Sequence, residues 1–360
     1  MRGEVAGMRT AARPTADLTR RRPDPLTPHP SSLVVSVMPA HLAIPVARNP
    51  GMTLDLDVVR RARVNRSAVE RRAATIPTRR TVKKEWQAAW LLRAVSCMDL
   101  TTLSGDDTPG TVRRLCAKAR TPLRPDILDA LGAGELGLTV AAVCVYHALV
   151  PVAVEALAGS GIPVAAVSTG FPAGLSPIAQ RVAEIHASVE AGAAEIDVVI
   201  TRGHVLTGDW VALYDEVRTF RAACGEAHLK VILGTGDLGT LTNVARASQV
   251  AMMAGADFIK TSTGKEPVNA TLPVGLVMAR QIRDYHERTG QLVGFKPAGG
   301  IRAAKGALDW LLMMKEELGD RWLRPDLFRF GASGLLTDIE RQLEHHVTGR
   351  YSAAHRHPMV

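Results

Sequence analysis

Four ionisable residues interrupt stretches that are otherwise apolar enough to be buried strands. Asp197 lies in Glu195-Ile-Asp-Val-Val-Ile200 and Lys230 in His228-Leu-Lys-Val-Ile-Leu-Gly234. Lys260 lies in Asp257-Phe-Ile-Lys-Thr-Ser-Thr-Gly-Lys265 and Lys296 in Gly294-Phe-Lys-Pro-Ala-Gly-Gly300. A buried charge is costly unless it is paired, so each of these residues needs a reason to be there. Desolvation or a neighbouring cation lowers a lysine's pKa from about 10.4 towards neutrality, and a neutral buried amine is what Schiff-base chemistry requires. Lys260, at the centre of its segment, is the candidate nucleophile. Lys296 belongs to the next segment, and neighbouring strands run ~5 Å apart, close enough for one ammonium to depress the other. Asp197 would serve as the proton shuttle; its alternative reading is an ion pair that only pins strands together. Lys230 falls near the start of its segment, towards the non-catalytic face, and reads as structural.

Glycines supply a second signal. Gly299-Gly300 follows the seventh apolar segment and Gly331-Ala-Ser-Gly334 the eighth, where backbone N–H groups can cradle a phosphate with Arg302, Lys265 and Ser333 adding charge and a hydroxyl. Glycine after a strand is also ordinary turn chemistry. The Thr-Gly-Lys at residues 263–265 is no Walker motif, because Ile259 stands where the first glycine would be needed. The 11 histidines form no H-E-x-x-H, and His345-His346 reads as surface, which argues against metal-dependent chemistry.

These residues need a frame that brings segment ends together. Eight apolar segments recur: 97–103, 138–146, 163–171, 195–200, 228–235, 258–263, 292–298 and 327–333. Between them lie stretches of helical period, such as Ile178, Val182, Ile185 and Val189, with Ser176 as N-cap and Pro177 in the first turn. Continuous hydrophobic strands alternating with helices imply a parallel sheet covered by helices, and eight such units close into a (β/α)₈ TIM barrel. An open doubly wound sheet is the alternative, but no G-x-G-x-x-G follows the first strand. The barrel is expected over residues 96–346, followed by a tail at 347–360.

About a quarter of the chain precedes the barrel. Residues 1–50 carry Arg20, Arg21 and Arg22, scattered prolines and no apolar period, and read as a disordered basic leader, a transit peptide, or residues upstream of a later start at Met38 or Met52. Residues 51–95 read as a helical extension, with Arg71-Arg72, Arg79-Arg80 and Lys83-Lys84 beside Trp86 and Trp90. Such a basic face could touch RNA or anionic lipid, but a solvated helix with a packed tryptophan edge is the commoner case. The net charge of +9 resides in this N-terminal part. Residues 1–95 hold 18 Lys and Arg against 7 Asp and Glu, while residues 96–360 hold 26 against 28, so a nucleic-acid partner is not expected. No apolar run approaches the ~18 residues of a membrane span, and Cys97, Cys116, Cys144 and Cys224 form no C-x-x-C pair, which fits a soluble protein in a reducing cytoplasm.

Taken together, Met98-Asp-Leu-Thr-Thr-Leu103, Ala141-Ala-Val-Cys-Val-Tyr146, Glu195–Ile200, Asp257–Lys265, Gly294–Arg302 and Phe330-Gly-Ala-Ser333 resemble the deoxyribose-phosphate aldolase family in order and spacing, over roughly residues 95–345. Residues 79–90 and 102–107 resemble its longer, animal-type branch. The resemblance implies a class I aldehyde-lyase of deoxyribonucleoside catabolism, with no metal or organic cofactor and a sugar phosphate as substrate. It also implies a homo-oligomer as one assembly the chain could form. It makes Lys260 the Schiff-base lysine, Lys296 its tuning partner and Asp197 a proton relay through a water. Asp99, Cys144 and Thr263 would surround the substrate, and Gly264, Lys265, Gly299, Gly300, Arg302 and Ser333 its phosphate. One departure is visible: Gly334 stands where the family often has a second hydroxyl, a loss of about one hydrogen bond or ~1 kcal/mol. The other readings are a transaldolase-like barrel for a different sugar phosphate, and an inactive barrel whose basic N-terminal region binds RNA or a protein.

Overall fold

The computed structural model describes residues 46–79 and 82–357; most of the expected leader, with Arg20 to Arg22 and Met38, lies outside them, as does Arg80. Among the described residues three helices come first: α1 (Leu56–Arg61), α2 (Arg66–Arg79) and α3 (Lys84–Ser96). The helical extension expected over residues 51–95 is thus three helices. Asp55 itself caps α1 by accepting from the Asp57 and Val58 N–H groups. Every residue of α3 from Ala88 to Ser96 is buried, Trp90 included. This helix packs against the last two barrel helices, and α2 against the two on either side of the seventh strand. Burying Leu91, Leu92 and Val95 contributes about 1.5–3 kcal/mol each, so the extension is part of the core.

The barrel then alternates. β1 (Met98–Thr101) leads to α4 (Pro109–Arg120) and α5 (Pro125–Ala130), and β2 (Ala142–Tyr146) to α6 (Val150–Leu157). β3 (Val164–Ser168) leads to α7 (Ile178–Glu190), and β4 (Glu195–Val199) to α8 (Arg202–Thr207) and α9 (Trp210–Ala223). β5 (His228–Ile232) is followed by α10 (Leu241–Met253), β6 (Phe258–Lys260) by α11 (Leu272–Thr289), β7 (Gly294–Lys296) by α12 (Ala304–Leu318), and β8 (Phe330–Ala332) by α13 (Gly334–Thr348). All neighbouring strands are parallel, in the order β7-β6-β5-β4-β3-β2-β1-β8. Bonds from Phe295 N–H to the Leu327 carbonyl, Arg329 N–H to Phe295 and Gly331 N–H to Pro297 join β7 to β8 and close the ring. This is the (β/α)₈ barrel expected from the alternation, not an open sheet.

The strands are shorter than the apolar segments, because those segments continue into the loops above and below the sheet. Lys260 therefore stands at the C-terminal end of its strand, not at its centre, and Lys296 ends β7 in the same way. Pro177, expected inside the first turn of α7, instead flanks it as the N-cap residue, and no Ser176 cap forms. Gly294 is bare for a packing reason: a Cβ there would stand 2.3 Å from the Phe258 ring.

Both ends of the described chain are tied down. Asn49, within the expected leader, is buried; its side chain donates to the Met252 and Ala256 carbonyls, and its amide N–H reaches Asp257 Oδ1 at 2.9 Å. At the other end His357 is buried, with Nε2 2.6 Å from Glu344 Oε2. No helix among the described residues is long and apolar enough to cross a membrane.

Candidate active site

Side chains two apart on a strand share a face, so Glu195 and Asp197 both point into the barrel from β4. Register then sets Lys230 beside Asp197, and Lys260 beside Lys296. The result is a buried charge cluster centred on Asp197. Its Oδ2 accepts from Lys260 Nζ and from Lys296 Nζ, each at 2.8 Å, and its Oδ1 from Lys230 Nζ at 3.0 Å. Lys296 Nζ also stands 2.6 Å from Asp99 Oδ2. Room for the Lys296 chain comes from Gly331 on β8, where an added Cβ would lie 3.2 Å from its Cε.

Two of these placements differ from the sequence reading. Lys230 is not at the far face but mid-strand and inside the cluster, because β5 already ends at Ile232 and its middle residue is level with Asp197. Asp99 does not line the open cavity. It is fully buried beneath it, held by Arg329 and Lys296. Arg329 and Glu195 were not singled out at all: Arg329 Nη2 donates to Glu195 Oε1 at 2.8 Å and Nη1 to Asp99. The signal for Glu195 was present, since it shares the face of Asp197 two residues on. Arg329 just precedes β8, and its cue is of the same kind: a charge inside the apolar segment 327–333.

The protonation states follow from the surroundings. Burial lowers the pKa of Lys260, Asp197 opposes that, and the Lys296 ammonium lowers it further; the net direction is down. Lys296 resists the same desolvation because Asp197 and then Asp99 hold its proton, so it stays charged. Asp197 is held well below the usual carboxylate range: burial opposes ionisation, but Lys230, Lys260 and Lys296 outweigh it. Burial also raises the Cys144 thiol, leaving it neutral on β2.

Lys260 is the cluster member that reaches the open cavity above, whose volume is about 620 Å³. Thr263, Gly264 and Lys265 from the loop after β6 line it, with Gly299, Gly300 and Arg302 after β7, and Ser333 and Gly334 after β8. Thr101 to Ser104 close the side next to β8. The cavity thus brings together seven of the residues expected around substrate and phosphate, while Asp99, Asp197 and Lys296, all fully buried, form the charged layer linked to its floor through Lys260. Cys144, also fully buried, sits in a small apolar cluster with Leu103, Tyr146 and Phe171. At Gly299 the backbone has φ +82° and a Cβ would meet the Asn269 side chain at 2.6 Å, so only glycine fits. The first turn of α13 begins at the cavity, and its free N–H groups favour an anion. A separate groove of about 520 Å³ lies between residues 64–70 and the loops after β5 and β6; its charged residues, Arg66 and Glu70, pair with each other at 2.7 Å.

The loop after β6 is shaped by a residue the sequence did not flag. Glu266 accepts from the Thr263 and Gly264 N–H groups and from the Thr263 hydroxyl at 2.7 Å. Arg202, at the start of α8, holds Glu266 at 3.1 Å and Asp237 at 3.2 Å.

The same frame occurs in known proteins. The profile described as DeoC/LacD family aldolase matches residues 93–336. A deoxyribose-phosphate aldolase of Homo sapiens is 64% identical over 315 residues, covering 87% of this chain and 99% of that protein. A solved putative deoxyribose-phosphate aldolase of Toxoplasma gondii superposes with a TM-score of 0.63 at 23% identity, covering 73% of this chain and 97% of that one. The deoxyribose phosphate aldolase of Aeropyrum pernix, described as tetrameric, superposes with a TM-score of 0.53 at 20% identity, covering 78% and 99%. These two structural likenesses speak to the fold.

Proposed function

Since the chain belongs to the DeoC/LacD family of aldolases, we infer that its activity is that of a deoxyribose-phosphate aldolase: reversible cleavage of 2-deoxy-D-ribose 5-phosphate to D-glyceraldehyde 3-phosphate and acetaldehyde. The observation that carries this reading is the Lys260 amine, lowered in pKa, at the floor of a glycine-rich, cationic cavity and sharing Asp197 with charged Lys296.

Neutral Lys260 attacks C1 of the open-chain sugar, and loss of water leaves an iminium. That cation accepts the electrons of the C2–C3 bond while the C3 hydroxyl loses its proton to Asp197 through a water. Glyceraldehyde 3-phosphate departs, and the enamine on Lys260 takes a proton at C2. Hydrolysis then releases acetaldehyde and the free amine. Lys296 keeps Lys260 neutral and returns protons through the shared Asp197 oxygen. The phosphate would rest on the N–H groups of Gly264, Gly299, Gly300 and the first turn of α13, with Lys265, Arg302 and Ser333 around it. No metal or organic cofactor enters this scheme. A cytoplasmic location and a homo-oligomer belong to the same proposal; exposed Leu175, Ile178, Leu206 and Val211 offer apolar surface for a second copy.

Borohydride reduction in the presence of 2-deoxyribose 5-phosphate should label the peptide containing Lys260, and Lys260→Arg should remove the label. Label on another lysine overturns the site assignment. A sugar-phosphate product pair lacking acetaldehyde overturns the substrate and favours a transaldolase-like barrel.

A further inference from the structure

The ionisable groups inside the barrel are closely interleaved in position but differ in number by one. Three carboxylates, Asp99, Glu195 and Asp197, meet four cationic side chains, Lys230, Lys260, Lys296 and Arg329, and all seven are more than nine-tenths buried. Lys230 Nζ lies 2.5 Å from Glu195, 3.0 Å from Asp197 and 3.5 Å from Asp99. Arg329 bridges Asp99 and Glu195, and Lys296 bridges Asp99 and Asp197. Lys260 touches a single carboxylate, Asp197, at 2.8 Å. In a low-dielectric interior the cheapest state of such a cluster is the neutral one. Three cations neutralise the three carboxylates, and the one whose proton is then surplus is the one with fewest partners.

We propose that Lys230 and Arg329, held by Glu195, are positioning residues for the reaction: they satisfy the carboxylates from beneath, so that Lys260 is left as the uncharged amine. The proposal rests on Lys260 being the Schiff-base lysine. The groups facing Lys260 are Asp197 from β4, Lys230 from β5, Lys296 from β7, and Asp99 on β1 with Arg329 beyond it; Cys144 on β2 is a neutral thiol. The directions agree: burial lowers Lys260, whereas Asp197, Glu195 and Asp99 hold Lys230 above its ordinary value against burial, and Asp99 and Glu195 do the same for Arg329.

Removing a cation and removing an anion must therefore move Lys260 in opposite directions, which general damage to the site cannot do. The test is the pH dependence of Lys260 labelling by acetaldehyde and cyanoborohydride, followed by peptide mapping in the full chain. In Lys230→Met the acid limb should move up by about one pH unit or more, a loss of about tenfold at neutral pH that recovers in alkali. In Glu195→Gln, which conserves shape, it should move down by a similar amount. Limbs that stay in place, or that move the same way in both variants, overturn the proposal. Should Lys230→Met fail to fold by circular dichroism, Glu195→Gln decides alone: an unmoved or raised limb refutes the balance. Absence of label on Lys260 in the wild type would instead refute the Schiff-base assignment on which the proposal rests.

Discussion

Asp197 is asked to do two things, and substitution should separate them. Asp197→Asn keeps the shape but removes the charge that holds three lysines, and the C3 proton loses its acceptor. The turnover number should fall by about 10²–10⁴-fold, the usual worth of a positioned acid–base group, as read in a coupled assay for glyceraldehyde 3-phosphate. Unlike a surface pair, this buried one should also cost about 3–5 kcal/mol of stability when one partner is neutralised, seen as a lower urea midpoint. The pH sign follows from the folded-state directions. Lys260 is lowered, so imine formation needs pH above its folded pKa and declines by about tenfold per unit below it. Asp99, Glu195 and Asp197 are all lowered despite burial, by Arg329 with lysines for the first two and by the three lysines for Asp197. Their contribution to stability is complete above about pH 4, the unfolded carboxylate value, and is lost as pH falls through the depressed folded values. Urea midpoints measured at pH 7 and then stepwise below pH 4 should drop steeply; a flat profile would contradict these ionisation states.

At the scale of the element, the proposed phosphate site rests on the loop after β6 and the start of α13. Glu266 ties Thr263 and Gly264 together, and Arg202 anchors Glu266 to the turn that begins α8. Glu266→Ala should loosen Gly264 and Lys265 without touching Lys260, so KM for 2-deoxyribose 5-phosphate should rise about tenfold or more, a loss of at least ~1.4 kcal/mol of phosphate binding. Activity on unphosphorylated 2-deoxyribose should change little, and an equal loss on both sugars would show that the loop serves the fold alone. Gly334 tests the opposite direction. Nothing lies within 4 Å of a Cβ placed there, so Gly334→Ser fits and adds a hydroxyl at the N-terminus of α13. One hydrogen bond of about 1 kcal/mol corresponds to a roughly fivefold lower KM for the phosphorylated sugar.

At the scale of the whole molecule, the extension is joined to the barrel by named contacts. Asn49 donates to two carbonyls at the end of α10 and accepts from the Tyr285 hydroxyl at 3.1 Å, while Arg72 on α2 reaches Glu316 on α12 at 2.9 Å. Trimming residues 1–45 should leave activity and melting temperature unchanged. Trimming residues 1–50 removes Asn49 and takes the bond it supplies from Asp257 Oδ1 and from the Tyr285 hydroxyl, while Arg221 and Leu229 still hold Asp257 Oδ2; each unmet buried group costs about 1–3 kcal/mol. The melting temperature should then fall by several degrees; no difference between the two truncations would mean Asn49 contributes nothing.

The sequence by itself determined the frame and the chemistry. Alternating apolar segments and helical periods required a covered parallel sheet, and lysines in strands that water cannot reach needed a chemical purpose, which singled out Lys260 and Lys296. Both inferences rest on local properties, periodicity and the cost of burying charge, and these are legible in one dimension. Only the tertiary structure decided who pairs with whom. Strand ends fall where hydrogen bonding stops, not where hydrophobicity stops, and this moved Lys230 from the far face to the side of Asp197. Barrel closure brought Arg329, more than a hundred residues from Asp197 in the chain, under the same carboxylates. Charge balance inside a closed barrel depends on distances between strands far apart in sequence, and no spacing along the chain encodes it.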